Sequence, residues 1–471
     1  MNIHHQEIIS IAQAKPSNPE KNVVFKGVMI DSRQPSDNGL FIAIRGKRTD
    51  GHFYLNEAFQ HGARGAVIDH WASHPEELSL YMVEDTEAAL KKLGGFCSRR
   101  LTGIKLAITG TVGKTTTKFF FQKILGICYR IAVTPLSYNT TIGVSSSFCN
   151  FSLDDDYYII EAGINKKGEM NELAEIIDPG IVVFTAFGRG HLEGFEEVET
   201  VVHEKILLAQ NAEIVYLNGD NPYTARLVDE LTRAGKKVIT YGYQNSSAPR
   251  LSLLDFSLDP RSGVASFHCR CEERNYSFQA PIFSPELTVM LLPVLHLAFH
   301  SGIAAKDIQK VLDEILLPQG REKIYHRGSG YVIDDSYNAN PVSMYKALRL
   351  MDRFNYQGYQ TWVVLGDMLE MGNFSDTVHE ECIRSLEEHH IKNVILFGSF
   401  MHEAAEKVLS ENSLDGEYYL ASSHEEIQKI LLDQIPQPFE RLVVLFKGSR
   451  GMKLEEAIPR EWKENDSIDF S

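Results

Sequence analysis

The sequence predicts an α/β protein built on parallel sheets. Apolar segments of strand length alternate with helical segments in a βαβ rhythm. Several of those strands run directly into a Gly or Asp loop, the edge at which open α/β sheets place their ligands. The 471 residues allow about three domains at roughly 150 residues each.

In chain order, "VVFKGVMIDSR", "GLFIAI" and "GARGAVI" are strand-like, and "HFYLNEAFQHGA" and "TEAALKKLGGFCSRRL" are helical; they make a first domain over residues 1–100. The second, residues 101–317, opens on the apolar strand "IKLAITG", a Gly-rich turn and the helix "TTTKFFFQKILGIC". It continues through "YYIIEAG", "IVVFTAF", "EIVYLNG" and "KVITYGY", a hairpin near 251–280 and a helix near 287–302. Pro318 and Gly320 in "LLPQGRE" interrupt the helical pattern and mark the boundary to the third domain, 318–471. That domain runs from "GYVIDDSYNANP" through the strands "TWVVLGD", "NVILFG" and "LVVLFKG".

A net charge of -16 disfavours sequence-independent binding to nucleic acid or anionic lipid, which depends on clustered Lys and Arg. No apolar run approaches the roughly 20 residues of a membrane span. The segment "MNIHHQEIISIAQAKP" lacks the pattern of a signal peptide, so a cytoplasmic location is expected. Six scattered cysteines fit reduced thiols. The run His268-Cys269-Arg270-Cys271 lacks a second ligand pair at zinc-finger spacing and reads as an alternating strand.

The candidate chemistry begins at "AITGTVGKTTTKFF". A strand, a Gly-rich turn, Lys, Thr and a helix let backbone N–H groups hold phosphate oxygens. Lys114 would neutralise phosphate charge and the Thr115 hydroxyl would ligate Mg²⁺, although a full G-x-x-x-x-G-K-[ST] loop is two residues longer. Glu161, ending "YYIIEAG", is placed like an acid that holds Mg²⁺, or else caps a helix or pairs with a lysine. His191 follows another strand edge, where a satisfied structural histidine is the plain alternative. Lys205, on the helix "VETVVHEKILLAQ", reads locally as a solvated lysine.

"TGTVGKTTTK", "EAGINKKGEM", "GRGHLEGF", "PQGRE", "DDSYNANPVSM", "VLGDMLEMG" and "KGSRGM", in this order and at these separations, resemble the Mur ligases. Those enzymes carry the shortened T-G-x-x-G-K-[ST] loop, and the match covers nearly the whole chain. The resemblance implies a P-loop central domain, a Rossmann-like C-terminal domain, and an N-terminal domain for a uridine nucleotide. It also implies an ATP-dependent carbon–nitrogen ligase using two Mg²⁺ ions and an acyl-phosphate intermediate. Within the family, "DDSYNANP" with "LGDMLEMG" is most similar to members that join D-alanyl-D-alanine to a UDP-N-acetylmuramoyl-tripeptide in peptidoglycan synthesis. A monomer is expected. A Mur-like ligase for another acid and amine, or a non-catalytic nucleotide-binding module, are the alternatives.

Carried over by position, Lys114, His191 and Lys205 are catalytic, and Thr115, Glu161, His191 and a carbamylated Lys205 hold metal. Gly110, Thr111, Gly113, Lys114, Thr115, Thr116, Asn139, Arg321 and Asp335 bind the nucleotide. Asp31, Ser32 and Arg33 match the uridine motif. Asn338 and Asn340 would line the incoming-amine site, and Lys447, Ser449 and Arg450 are substrate-binding on a loop suited to an anion, or else a solvated basic loop. Local readings stand beside these: "YNANP" also makes an Asn/Pro turn, and an isolated Arg is usually a surface residue.

Two segments depart from the family. "YNTTIGVSS" keeps Asn139, Ile142, Gly143 and Val144 but has Thr140 and Thr141 where a second Asn and a Glu are usual. The G-x-H-N-x-x-N segment expected at adenine is "SPELTVM", Ser284 to Met290, without its His and Asn residues. Adenine is then expected to be held by backbone groups and apolar packing; the alternative is relaxed nucleotide choice, weaker ATP binding or a diverged substrate.

Overall fold

The computed structural model describes residues 1–46, 49–188, 198–243, 249–411 and 414–463. Its central sheet has nine strands, and the apolar strand Ile104–Thr109 lies inside it between Ile181–Phe184 and Tyr157–Glu161. Apart from Ile104 and Lys105 at the start of the first, all three are buried, which explains their continuous rather than alternating apolar character. The parallel register sets Glu161 opposite Ile108 and Phe184 opposite Thr109. Three chain segments therefore leave the sheet side by side at one edge. The hairpin expected near 251–280 is instead a three-stranded antiparallel meander, Leu251–Asp259, Val264–Cys271 and Arg274–Ala280. In Val264–Cys271 the inward positions include Cys269 and Cys271, while His268 faces out to Ser277, as strand alternation requires.

A six-stranded sheet carries the C-terminal region in the order Lys323–Arg327, Gly330–Asp334, Leu442–Lys447, Gln360–Gly366, Asn393–Phe397 and Glu417–Ala421. All neighbours pair in parallel except the first two strands. The loops after Asp334, Gly366 and Lys447 thus share one edge. A five-stranded sheet lies in the N-terminal region, with Val28–Met29 and Gly39–Ile42 at one side. The helix expected over "HFYLNEAFQHGA" splits into a 3₁₀ turn, Gly51–Tyr54, and a helix, Leu55–Gln60.

Helix Thr86–Arg100 packs its apolar face, including Leu90 and Leu93, into a core shared with Phe148 and Ile160 of the central region. Each such side chain taken from water is worth roughly 1.5–3 kcal/mol. On the opposite sheet face, Phe120, Ile124 and Phe267 pack with helix Pro285–His300. No helix among the described residues is long and apolar enough to cross a membrane.

Helix Pro285–His300 starts at Ser284, whose Oγ accepts from the Leu287 amide at 3.3 Å and donates to Glu322 Oε1 at 3.1 Å. Ser284→Ala is expected to cost about 1–2 kcal/mol, read from the denaturant midpoint, through the lost cap and the lost partner of a buried carboxyl. Burial, with the nearby Asp335 and Glu286 charges, pushes Glu322 up to about 8. Between about 4.5 and 8 the folded chain keeps a proton that the unfolded chain releases, so stability falls as pH rises through this window. Glu322→Gln should flatten that part of the stability–pH curve.

Candidate active site

The turn after Ile104–Thr109 is anchored before it binds anything. Thr111 N donates to Ala186 O at 2.6 Å, and Thr185 Oγ1 donates to Val112 O at 2.6 Å, tying the loop to the neighbouring strand edge. Gly113 has φ +91°, and a Cβ there would lie 2.4 Å from Met290 Cε. Glycine is therefore required by the backbone, and a Cβ would in addition displace the Met290 side chain of helix Pro285–His300. Helix Lys114–Leu125 starts at once, so its first amides point toward the loop. Gly110, Thr111 and Gly113 form this turn, and Lys114, Thr115 and Thr116 open the helix that follows it. The Lys114 ammonium lies on the loop's own carbonyls, 2.8 Å from Gly110 O and 3.5 Å from Thr111 O.

Thr115 is the centre of a buried polar cluster. Its Oγ1 donates to Glu161 Oε2 at 2.9 Å and accepts from Arg321 Nη2 at 3.0 Å. Asn139 Nδ2 donates to the other carboxylate oxygen at 3.2 Å. Lys118 approaches Glu161 at 3.3 Å while donating to Thr134 O at 2.8 Å. Burial alone would raise the Glu161 carboxyl, but Lys118, Lys114 and Arg321 outweigh it and hold it below the usual range. Burial lowers both Lys114 and Lys118, partly offset by Glu161. Lys118 was not singled out in the sequence, because one lysine on an amphipathic helix reads as solvated.

Lys205 is 2% exposed, on helix Val198–Ile206. Burial, and then the Lys114 charge, lowers its ammonium to about 7. That coupling places Lys205 in the field of the phosphate loop, contrary to the solvated-lysine reading. Its neighbour Glu204 accepts from the amides of Gly168 at 2.7 Å and Met170 at 3.3 Å, pinning the helix to the turn within "EAGINKKGEM". His191 lies outside the described residues.

Arg321 reaches the cluster from the start of the C-terminal region, with its guanidinium 4.0 Å from the Tyr337 ring centroid. Its Nε is buried without a hydrogen-bond partner among the described residues. A buried unpaired donor is costly, and one facing a phosphate loop suits a ligand oxygen. Tyr337 also meets Ser137 across the cleft, OH to Oγ at 2.9 Å. Neither Tyr337 nor Ser137 was expected; they join segments 200 residues apart, a pairing no local pattern encodes.

Asn338, Asn340 and Arg450 line the same cleft as Lys114, Thr115, Glu161 and Arg321, with a volume of about 280 Å³. Asn340 caps helix Pro341–Tyr356 through Ser343 N at 3.0 Å, so its side chain also has a structural duty. Lys447 forms a buried pair with Asp335 at 2.5 Å and donates to Asn338 O at 3.3 Å, holding "DDSYNANP" against the next strand. Ser449 Oγ accepts from Leu369 N at 2.8 Å, joining the "KGSRGM" and "LGDMLEMG" loops. These two residues buttress the cleft from behind.

Asp31, Ser32 and Arg33 stand apart from the phosphate cluster. Asp31 and Arg33 pair at 2.7 Å, and Ser32 donates to Glu57 at 2.5 Å. The turn still faces the cleft side, since Gln34 Nε2 contacts Tyr138 OH at 3.4 Å, one residue from Asn139. "SPELTVM" is the first part of helix Pro285–His300, and it presents Met290 to the phosphate loop where the family has polar side chains.

Family models agree with this arrangement over most of the chain: Mur ligase family, catalytic domain, over 24–91; Mur ligase middle domain over 108–283; and Mur ligase, glutamate ligase domain, over 320–450. A UDP-N-acetylmuramoyl-tripeptide–D-alanyl-D-alanine ligase of Bacillus subtilis is 28% identical across 96% of this chain and 97% of its own length. The protein of the same name from Treponema pallidum is 29% identical across 93% and 94%. Among solved structures, MurF from Acinetobacter baumannii has a TM-score of 0.84 at 22% identity, covering 97% of this chain and 98% of its own. MurF from Thermotoga maritima, in complex with ADP, has a TM-score of 0.78 at 22% identity, covering 92% and 96%. With the shortened phosphate loop, its buried Glu161 partner and three matching family models in one chain, this protein belongs to the Mur ligase family.

Proposed function

We infer that the chain is an ATP-dependent ligase that joins D-alanyl-D-alanine to a UDP-N-acetylmuramoyl-tripeptide. The observation that carries the phosphoryl chemistry is the Thr115–Glu161–Arg321 cluster directly under the phosphate loop. Full-length similarity to relatives bearing this name supports the choice of substrates.

In the first step a carboxylate oxygen of the tripeptide attacks the γ-phosphorus of ATP, and ADP leaves with the electron pair of the broken P–O bond. In the second the dipeptide amine attacks the acyl carbon, and inorganic phosphate departs as the amide forms and the amine loses a proton. Two anions meet in the first step, so positioning and charge neutralisation dominate. Lys114, the loop amides and Arg321 supply this charge complement. Asn338 and Asn340 are assigned to the dipeptide, and Asp31, Ser32 and Arg33 to the uridine end. Residues 1–100, 101–317 and 318–471 are assigned to UDP-substrate, ATP and amine, all within a monomer.

The adjoining Thr115 hydroxyl and Glu161 carboxylate are oxygen donors of the kind Mg²⁺ prefers, so they fit that ion. Bound there, Mg²⁺ would spread the negative charge of the phosphate oxygens. A further ion is assigned to His191 and Lys205, the latter as its carbamate. A buried amine with its pKa lowered to about 7 is substantially neutral near neutral pH and can add to CO₂. The resulting anion would face Lys114, replacing repulsion by attraction.

Arg321→Ala is expected to raise KM for ATP about tenfold, roughly 1.4 kcal/mol, with a smaller change in kcat, in initial-rate kinetics. The substrate assignment is tested by product mass in mixtures of the purified chain, ATP, UDP-muramoyl-tripeptide and a panel of amines. The expected product carries D-alanyl-D-alanine. A preference for a single amino acid, or for an acid lacking UDP, would favour a Mur-like ligase of other substrates.

A further inference from the structure

A second cavity, of about 550 Å³, opens on the far side of the central region between the antiparallel meander and the C-terminal end of helix Pro285–His300. We propose that Glu272, His296 and His300 at its wall bind one divalent transition-metal ion of the zinc class.

The two histidines are four positions apart and therefore stand on one helix face. Their ring centroids are 4.1 Å apart. Glu272 comes from the tight turn between Val264–Cys271 and Arg274–Ala280. Its Oε1 lies 3.4 Å from His296 Nε2 and its Oε2 4.0 Å from His300 Nε2. One donor atom from each residue can be chosen so that all lie within 4.8 Å of one another. Bonds of about 2.0–2.2 Å at tetrahedral angles require edges of about 3.3–3.6 Å, so small side-chain adjustments close the set.

The other ring nitrogens are already occupied. His300 Nδ1 donates to the His296 carbonyl at 3.0 Å, which fixes its tautomer and leaves the Nε2 lone pair outward. His296 Nδ1 is 2.8 Å from the buried Tyr216 hydroxyl. Outer partners on the non-ligating nitrogen are what orient metal-binding imidazoles. Two imidazoles and a carboxylate suit zinc-class ions better than Mg²⁺ or Ca²⁺. Arg250, 3.5 Å from Glu272 Oε1 and half exposed, is the competing cation and must turn aside. Water from the cavity completes the coordination. The ion would clasp the meander to the end of the helix whose other half holds Met290 against the phosphate loop.

The test uses the metal-stripped full chain titrated with Co²⁺ in excess Mg²⁺, followed by visible absorption. One saturable ligand-field band is expected, displaced by Zn²⁺ and lost in both His300→Ala and Glu272→Gln, while ligase activity with Mg²⁺ stays within about twofold of the parent. Both side chains are partly exposed, and an unchanged circular dichroism spectrum verifies each variant's fold. Absence of a saturable band, or a band that survives in both variants, overturns the proposal.

Discussion

Lys114→Ala is expected to reduce kcat/KM for ATP-dependent amide formation by about 10²–10³-fold, with little loss of stability. The magnitude follows from removing one preorganised cation from a phosphoryl-transfer site. The ammonium in this structure is bound to loop carbonyls at Gly110 and Thr111, interactions that a neutral side chain surrenders without uncovering a buried acid. Glu161 keeps Lys118, Thr115 and Asn139. Initial rates and a denaturation curve on the same preparation separate the two effects. A variant that unfolds, or one retaining parental kcat/KM, would contradict the assignment.

Lys205→Ala is expected to cost a similar 10²–10³-fold in kcat, because the account requires an anionic carbamate beside Lys114. Enzyme depleted of CO₂ is likewise expected to lose activity and to regain it on adding bicarbonate. Only the neutral amine attacks CO₂, so at a fixed concentration of dissolved CO₂ the rate of recovery should climb as pH rises through about 7, the lowered value of this buried lysine. An ordinary lysine would show that climb about three units higher, near its unperturbed pKa. Recovery with no pH dependence in this range, or full activity without CO₂, would refute carbamylation.

The strand-turn-helix at 104–125 was legible because its signals are local: a buried apolar run, two glycines and a helix start. Its missing glycine became informative only beside the other motifs. Lys118 and Glu204 were not legible. Their roles come from burial against Thr134, Gly168 and Met170, and burial is a property of the assembled sheet. Tyr337 and Ser137 meet only after two sheets are placed side by side. The edge strand Glu417–Ala421 was not assigned from the sequence; it is mostly unburied, although Tyr418, Tyr419 and Leu420 are ordinary strand residues. The substitution in "SPELTVM" was visible in the sequence, but its consequence was not: a helix cap at Ser284 and a methionine against Gly113. The same helix carries the His296–His300 pair, which is separated in sequence from Glu272 and could not be assembled from spacing alone.

The cluster around Thr115 and Glu161 is assigned to transfer of phosphate to the substrate's own carboxylate. Heavy-oxygen labelling of the terminal carboxylate of the UDP-muramoyl-tripeptide, with mass analysis of the released phosphate, tests it most directly. An acyl-phosphate route delivers one labelled oxygen to each phosphate formed and leaves one in the amide product. Unlabelled phosphate, with the label lost elsewhere or wholly retained, would contradict an acyl-phosphate route.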